Sequence, residues 1–198
     1  MKNLRKLPLY LLAILAFGFA SCESEDPEKE NDGEVITDVI LTFQELDASN
    51  NPVGAAVSFK ASDPQGIEVG ATPTIQPVNV TKGKKYQMTI EVLNSIEGED
   101  ITEEILAEAD EHQFFFLGSG ITSNILTTSY ADGNGVALGL KNLVTVSSSP
   151  GTNNTQLQVI LRHDLDKNFP GANNPNFANY IQAGGETDLD ITFPVVIN

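Results

Sequence analysis

The chain has 198 residues but only one cysteine, no tryptophan and two histidines. One cysteine cannot form an internal disulfide, so the fold must be stabilised by an apolar core, which a chain of this length can build. The sequence also lacks the HExxH, P-loop and GxSxG motifs, which are signatures of metalloproteases, NTPases and serine hydrolases. We therefore expect a protein that is not an enzyme.

Basic residues are scarce, because 11 lysines and arginines stand against 27 acidic residues and give a net charge of −16 at pH 7. A surface of this sign repels the phosphates of nucleic acids and anionic lipid headgroups. We therefore expect no nucleic-acid partner. The charge is compatible with a cation, a cationic ligand or a basic patch on a partner protein.

Positive charge is concentrated at the start of the chain. Lys2, Arg5 and Lys6 precede an apolar run of 14 residues from position 7 to position 20. A bilayer-spanning helix needs about 20 apolar residues, so this run is too short to span comfortably. A basic segment followed by a short apolar run indicates an export signal, and we predict a signal peptide over residues 1–21.

The lone cysteine, Cys22, follows this run directly. Residues 19–22 read FASC and resemble the lipobox of bacterial lipoproteins, with Phe19 where leucine is usual. The resemblance implies lipid attachment at Cys22 and cleavage before it, which would raise the net negative charge to −19 by removing three basic residues. Two acyl chains, each gaining roughly 0.8 kcal/mol per buried methylene, anchor a protein stably in a membrane.

Residues 22–34 read CESEDPEKENDGE and contain seven acids and no large apolar side chain. Such a segment cannot bury a core, so we predict a disordered acidic tether after the lipidated Cys22. Acids directly after the cysteine resemble the signal that exports lipoproteins of Bacteroidota-type bacteria to the outer face of the outer membrane. The resemblance implies a lipid-anchored outer-membrane protein, more readily exposed at the cell surface than facing the periplasm.

From Val35 onward, branched and aromatic residues recur at every second position, which is typical of β-strands. The clearest examples are residues 35–43, 86–93, 157–162 and 188–197. Turn clusters such as DGNG at residues 132–135 separate such runs. We predict a single, mainly β domain over residues 35–198, built as an antiparallel β-sandwich. An immunoglobulin-like architecture is one form of it, and a β-barrel is the alternative.

One segment has helical periodicity instead. Residues 100–111 read DITEEILAEADE, with apolar residues at positions 101, 105, 106 and 109 and acids between them. Asp100 is suited to cap the helix N-terminus, with Glu103 three residues later. We predict one short helix near residues 101–111.

The two histidines are the candidate metal ligands. Glu108 and His112 stand four residues apart, so both lie on one helix face if the helix continues that far. Such spacing offers two ligands to one divalent cation. His163 stands at the end of a predicted strand, where a sandwich could bring it to His112. The alternative is two histidines among acids with no metal and no other cofactor.

Residues 164–180 read DLDKNFPGANNPNFANY and form a long polar segment, which in a compact domain indicates a functional or disordered loop. Its first positions resemble a calcium loop, but Phe169 replaces the required glycine and Pro175 the required glutamate, so an EF-hand is rejected. Phe169, Phe177 and Tyr180 stand among asparagines, which suits contact with a sugar or a protein. Alternatively, the three rings fix the loop to the domain.

The lipobox, the acidic tether and a β-rich body containing EEILAEADEHQFFF at residues 103–116 resemble small acidic lipoproteins of Bacteroidota-type outer membranes. The resemblance implies a location and carries no assigned activity. Our leading hypothesis is a non-enzymatic binding or accessory module that captures a ligand or docks on an outer-membrane receptor or transporter. The alternatives are a metal-handling lipoprotein using His112 and Glu108, and a structural or adhesive surface protein.

Overall fold

The computed structural model describes residues 35–67, 72–133 and 135–198. The predicted signal peptide (1–21), Cys22 and the tether (22–34) lie outside these residues. No helix in the described ranges is long and apolar enough to cross a bilayer. The strands are β1 (Asp38–Leu46), β2 (Val57–Ser62), β3 (Thr74–Ile75), β4 (Val78–Val80), β5 (Lys85–Asn94), β6 (Glu99–Asp100), β7 (His112–Leu117), β8 (Leu126–Tyr130), β9 (Lys141–Val146), β10 (Asn154–His163) and β11 (Glu186–Ile197). The helical elements are α1 (Ile101–Ala107), α2 (Ser119–Thr122) and a 3₁₀ turn (Tyr180–Ala183).

These strands form two sheets. The first has the order β3-β2-β1-β5-β9-β8, with β6 beside β5, and the second has the order β4-β11-β10-β7. Every pairing is antiparallel except that of β4 with β11. The predicted mainly β, two-sheet architecture is confirmed. The strand order is not that of an immunoglobulin domain, because β1 lies between β2 and β5 instead of at a sheet edge.

The core lies between the two sheets and follows the alternation of the sequence. In β5 the inward side chains are Tyr86, Met88, Ile90 and Val92, and in β11 they are Leu189, Ile191, Phe193 and Val195. Residues of both sheets belong to one continuous apolar cluster. Burying each large apolar side chain contributes roughly 1.5–3 kcal/mol, so this cluster supplies the main driving force for folding.

The outer edge of β7 is paired by loops instead of a strand. The Phe114 N–H donates to the Leu138 carbonyl at 2.7 Å, and the Phe116 N–H donates to the Pro175 carbonyl at 2.7 Å. Strand β9 begins at Lys141, after a segment in which the Leu138 carbonyl accepts from β7 and the Leu140 carbonyl accepts from the Ile90 N–H of β5. Strand β8 begins at Leu126, after the single turn of α2.

Helix α1 is shorter than predicted. Asp100 is its N-cap as expected, because its carboxylate accepts a hydrogen bond from the Thr102 N–H at 3.0 Å. The helix ends at Ala107, not near residue 111, and a turn leads into β7 at His112. The predicted short helix near residues 101–111 is confirmed, although it ends four residues before residue 111, and the backbone from His112 onward is extended because β7 pairs with β10.

Candidate metal centre

The two histidines form a cross-strand pair. Strands β7 and β10 are antiparallel, and their register places His112 directly opposite His163. The rings stack with centroids 4.3 Å apart and planes 10° from parallel. Both histidines continue the inward-facing positions of their strands, because His112 stands two residues from Phe114 and His163 two residues from Leu161, and both of these belong to the core. The register thus brings together two residues that are distant in sequence.

Glu108 completes the group of three. It caps the C-terminus of α1, and the following turn is closed by a hydrogen bond from the His112 N–H to the Glu108 carbonyl at 3.0 Å. Glu108 Oε2 lies 3.8 Å from His112 Nδ1. One possible ligand atom from each of Glu108, His112 and His163 lies within 4.8 Å of the others. The residues predicted from the sequence therefore meet, although through a turn and a strand pair and not through a continuous helix.

Two further carboxylates flank the histidines. Asp188 Oδ2 lies 3.6 Å from His112 Nε2, and Glu111 Oε2 lies 3.5 Å from His163 Nε2. Asp188 could not be identified from the sequence, because it shares the parity of Asp190 and alternates with buried Leu189 in a strand of regular apolar alternation. Glu111 stands out only as one acid among several after α1.

His112 is buried, and burial favours the neutral form of its imidazole. Its side chain is 2% exposed, and burial is the main influence that lowers the pKa of its imidazole, followed by the nearby His163. The Glu108 backbone carbonyl and the Glu111 carboxylate oppose this shift without cancelling it. The pKa of His112 thus lies below 6.5, so the ring is mostly neutral at pH 7 and one nitrogen carries a free lone pair.

The Nδ1 atom of His112 is buried and makes no hydrogen bond. Leaving a buried polar atom unpaired costs about 1–3 kcal/mol, and such atoms in native structures call for an explanation. The Glu108 carboxylate is near but, at 3.8 Å, beyond hydrogen-bond distance. A cation between these two groups would satisfy both.

Binding a metal requires a small rearrangement of the rings. Ligand atoms around a tetrahedral zinc, with bonds of about 2.0–2.1 Å, lie about 3.4 Å apart. The atoms of the present group are up to 4.8 Å apart, and the lone pairs of two parallel rings do not converge on one point. The imidazoles of His112 and His163 must therefore rotate out of their stack to share one ion.

Lys167 ties the neighbouring segments together. Its ammonium donates hydrogen bonds to the carbonyls of Ala109, just after α1, and of Ala137 in the β8–β9 connection. Burial lowers the pKa of Lys167 to about 8, against the opposing influence of Asp110 and Asp132. Because Ala109 follows Glu108, this contact restrains the turn that carries Glu108.

The three aromatic residues of the predicted binding loop pack against the outer face of the second sheet. The Phe115 ring lies 5.8 Å from Tyr180 and 6.5 Å from Phe177, and the Phe177 ring lies 6.1 Å from Phe169. All three loop rings are half-buried in a small cluster around Phe115. The structure therefore favours the alternative in which the rings fix the loop. A ligand contact by this loop stays a prediction.

The lipid-attachment residue Cys22 lies outside the described residues, so the structure bears on the metal ligands and the loop only. Phe169, Phe177 and Tyr180 belong to the cluster around Phe115, whereas the two histidines share the strand face of Phe114 and Leu161 in the main core. The two predicted sites are thus separate features.

No protein-family model, no curated protein and no solved structure matches this chain.

Proposed function

We propose that this protein is a non-enzymatic lipoprotein of the outer membrane that binds a divalent transition-metal cation, with Zn²⁺ as the representative ion. The proposed ligands are Glu108, His112 and His163. The observation that carries the proposal is the meeting of two imidazoles and one carboxylate within 4.8 Å, from segments distant in sequence. The proposed location at the outer membrane rests on the resemblance of residues 19–22 to a lipobox, with Cys22 as the lipidated residue.

The donor set favours one class of ion. Two neutral imidazole nitrogens and one carboxylate oxygen suit zinc and its neighbours in the transition series. Calcium and magnesium prefer sites made of oxygen, and monovalent copper prefers sulfur, which this group lacks. The net charge of −16 also concentrates cations near the surface, although it does not select among them.

A purely structural histidine pair would show a different pattern. Buried imidazoles that only stabilise a fold normally have both nitrogens paired or solvated. His112 instead directs an unpaired Nδ1 towards Glu108. That asymmetry supports ligand binding over a packing role.

Calorimetric titration of Zn²⁺ into the chelator-treated full chain in detergent tests the proposal. We expect one high-affinity equivalent, at least tenfold weaker in His163→Ala and in Glu108→Gln, and no competition from excess Mg²⁺. The control is Glu103→Gln, an exposed acid on the same helix α1, which should bind as the wild type does. A wild-type chain without zinc affinity, or a His163→Ala chain with full affinity, would overturn the metal function.

A second candidate function is docking on an outer-membrane receptor or transporter. A cleft of about 350 Å³ lies between α1, β5 and the β8–β9 connection, and its lining includes Ile90, Ala109 and Leu138. At its rim Leu106 is 57% exposed and Val136 is 39% exposed. Leu106 is one of the regularly spaced apolar residues of the helical segment, but unlike Ile101 and Ile105 it is not buried, so this apolar surface is free for another contact.

Co-purification from solubilised outer membranes tests docking. A transporter recovered with the wild-type chain and lost with Leu106→Glu would support the accessory role. The matched control is Ile96→Glu, since Ile96 is as exposed as Leu106 but does not line the cleft. Recovery of no membrane partner with the wild type would instead favour the structural or adhesive hypothesis.

A further inference from the structure

We infer that the cleft between α1, β5 and the β8–β9 connection binds a small amphipathic carboxylate, a molecule with a short alkyl chain and one anionic end. The alkyl chain lies on the apolar lining of the cleft, and the carboxylate pairs with the ammonium of Lys141 at the rim. None of the proposed metal ligands lines the cleft, so zinc binding neither supports nor contradicts such a ligand.

The cleft has a buried apolar floor and an exposed apolar rim. Ile90 is 4% exposed and Leu138 is 2% exposed, so both belong to the floor, while Leu106 and Val136 are exposed at the rim. Small-molecule sites are concave and mostly apolar with a few polar groups, and have volumes of about 300–1,000 Å³. At about 350 Å³ this cleft lies at the lower end of that range and suits a small ligand.

Hydrogen bonds hold the walls of the cleft in place. The Ile90 N–H donates to the Leu140 carbonyl at 2.9 Å, which joins β5 to the β8–β9 connection. The Lys167 ammonium donates to the carbonyls of Ala109 and Ala137, which joins the turn after α1 to the same connection. The cleft is therefore formed without a ligand, so binding does not have to order these segments first.

The charged residues at the cleft leave one cation without a partner. The Asp132 carboxylate accepts hydrogen bonds from the Gly139 N–H at 2.8 Å and from the Lys141 N–H at 2.9 Å. Its charge also interacts with the Lys167 ammonium. The Lys141 side chain is exposed, lines the cleft and forms no ion pair with any described residue. An unpaired ammonium beside an apolar cleft favours a ligand whose end group is anionic.

The shape of the cleft favours a small ligand over a protein segment. A specific protein interface buries about 800 Å² on each partner. At this cleft the exposed large apolar residues are Leu106 and Val136, while Ile90 and Leu138 lie on the floor below them. A short alkyl chain that enters the cleft covers this floor, whereas a flat protein surface covers only the rim.

Photo-crosslinking of the full chain in isolated cell envelopes tests the inference. The probe is octanoate with a diazirine in its alkyl chain, and the uncharged comparison is the octanol with the same diazirine. We expect saturable crosslinks within residues 106–109 and 136–141, located by mass spectrometry, because these segments line the cleft.

The charge of the ligand is tested with Lys141→Gln. We expect this variant to raise the half-saturating concentration of the octanoate probe by about two- to fivefold, the range of an exposed ion pair, and to leave that of the octanol probe unchanged. Lys82→Gln is the matched control. Lys82 is likewise exposed and without an ion pair among the described residues, but it does not line the cleft.

The position of the ligand is tested with Leu106→Glu. We expect the half-saturating concentration of octanoate to rise at least about tenfold, because the new carboxylate repels that of the ligand. Ile96→Glu should bind as the wild type does, since Ile96 is as exposed as Leu106 but lies outside the cleft lining.

The results distinguish the possible occupants of the cleft. Crosslinks outside the cleft, or octanoate binding that Leu106→Glu leaves unchanged, would overturn the inference. Binding that depends on Leu106 but not on Lys141 would overturn the anionic class of the ligand. Recovery of a transporter through Leu106, without crosslinks in the cleft, would assign the cleft to protein docking and overturn the inference as well. A wild-type chain without zinc affinity would overturn the proposed metal function alone.

Discussion

Lys60 Nζ lies 2.7 Å from Asp38 Oδ1, across the β1–β2 pair. Asp38 is 2% exposed, and its carboxylate also accepts hydrogen bonds from the hydroxyl groups of Thr37, Ser62 and Ser95. These contacts join the start of β1 to the ends of β2 and β5. A buried carboxylate with four donors is a fixed polar connection within an otherwise apolar fold.

The Asp38 cluster should make stability depend on acid. Burial, the largest influence, raises the pKa of Asp38, but Lys60 and the three hydroxyls together lower it to about 2, from an ordinary 3.8. Because the folded pKa is below the unfolded one, the contribution is complete above about pH 4 and is lost as pH falls towards 2. We expect Asp38→Asn to lose about 2 kcal/mol at pH 7.

Urea denaturation at several pH values measures this effect. The wild type should lose stability between pH 4 and pH 2 more steeply than Asp38→Asn does. Glu103→Gln, which removes an exposed acid from α1, should follow the wild type. If Asp38→Asn and the wild type had the same pH dependence, the Asp38 cluster would not contribute to the pH dependence of the free energy of unfolding.

Two adjacent glycines should respond very differently to alanine. Gly184 and Gly185 both have positive φ, of 80° and 71°. A Cβ at Gly184 would meet nothing within 4 Å, whereas at Gly185 it would lie 2.0 Å from the His163 carbonyl oxygen. We expect Gly184→Ala to cost about 1–2 kcal/mol, the usual price of that backbone conformation.

We expect Gly185→Ala to cost at least about 3 kcal/mol, because the backbone of His163 must move. The same displacement should weaken zinc binding, since His163 is a proposed ligand. Thermal unfolding and zinc titration of the two variants compare these effects. If Gly185→Ala were as stable as Gly184→Ala and bound zinc equally well, the close approach to His163 would have no consequence.

The loop rings should matter for stability and not for the metal. Phe177 packs against Phe115 and Phe169 and lies against Gly171. We expect Phe177→Ala to lower the free energy of unfolding by about 2 kcal/mol, less than the 3–5 kcal/mol of a fully buried phenylalanine. Ile181→Ala, at a residue that is 68% exposed, is the control and should change little. If Phe177→Ala were as stable as the wild type but no longer bound a ligand, the result would indicate that the loop contacts that ligand.

Alternation in the sequence located the strands whose inward face is buried. The expected strand over residues 86–93 is observed as β5 over Lys85–Asn94, since burial of one face fixes a period of two. The N-terminal end of α1 was also predictable, because Asp100 caps it through a local hydrogen bond.

Features set by distant partners were not predictable in this way. The extended backbone from His112 onward follows from the pairing of β7 with β10, and the stacking of His112 on His163 follows from the register of that pair. The position of Asp188 depends on a bulge in β11 that leaves the sequence alternation unchanged. In each case a contact between remote segments outweighs the local pattern.

The predicted location at the outer membrane depends on lipid attachment at Cys22, and this attachment can be tested independently of the fold. If the sulfur carries acyl chains, the chain should partition with membranes, because each buried methylene contributes roughly 0.8 kcal/mol. Cys22→Ser removes the only thiol in the sequence, so the variant should carry no acyl chain. Mass spectrometry of the native protein should show an acylated terminus at Cys22. A mature terminus without acyl mass would contradict the outer-membrane address while leaving the metal centre, which lies wholly within residues 108–188, open to its own test.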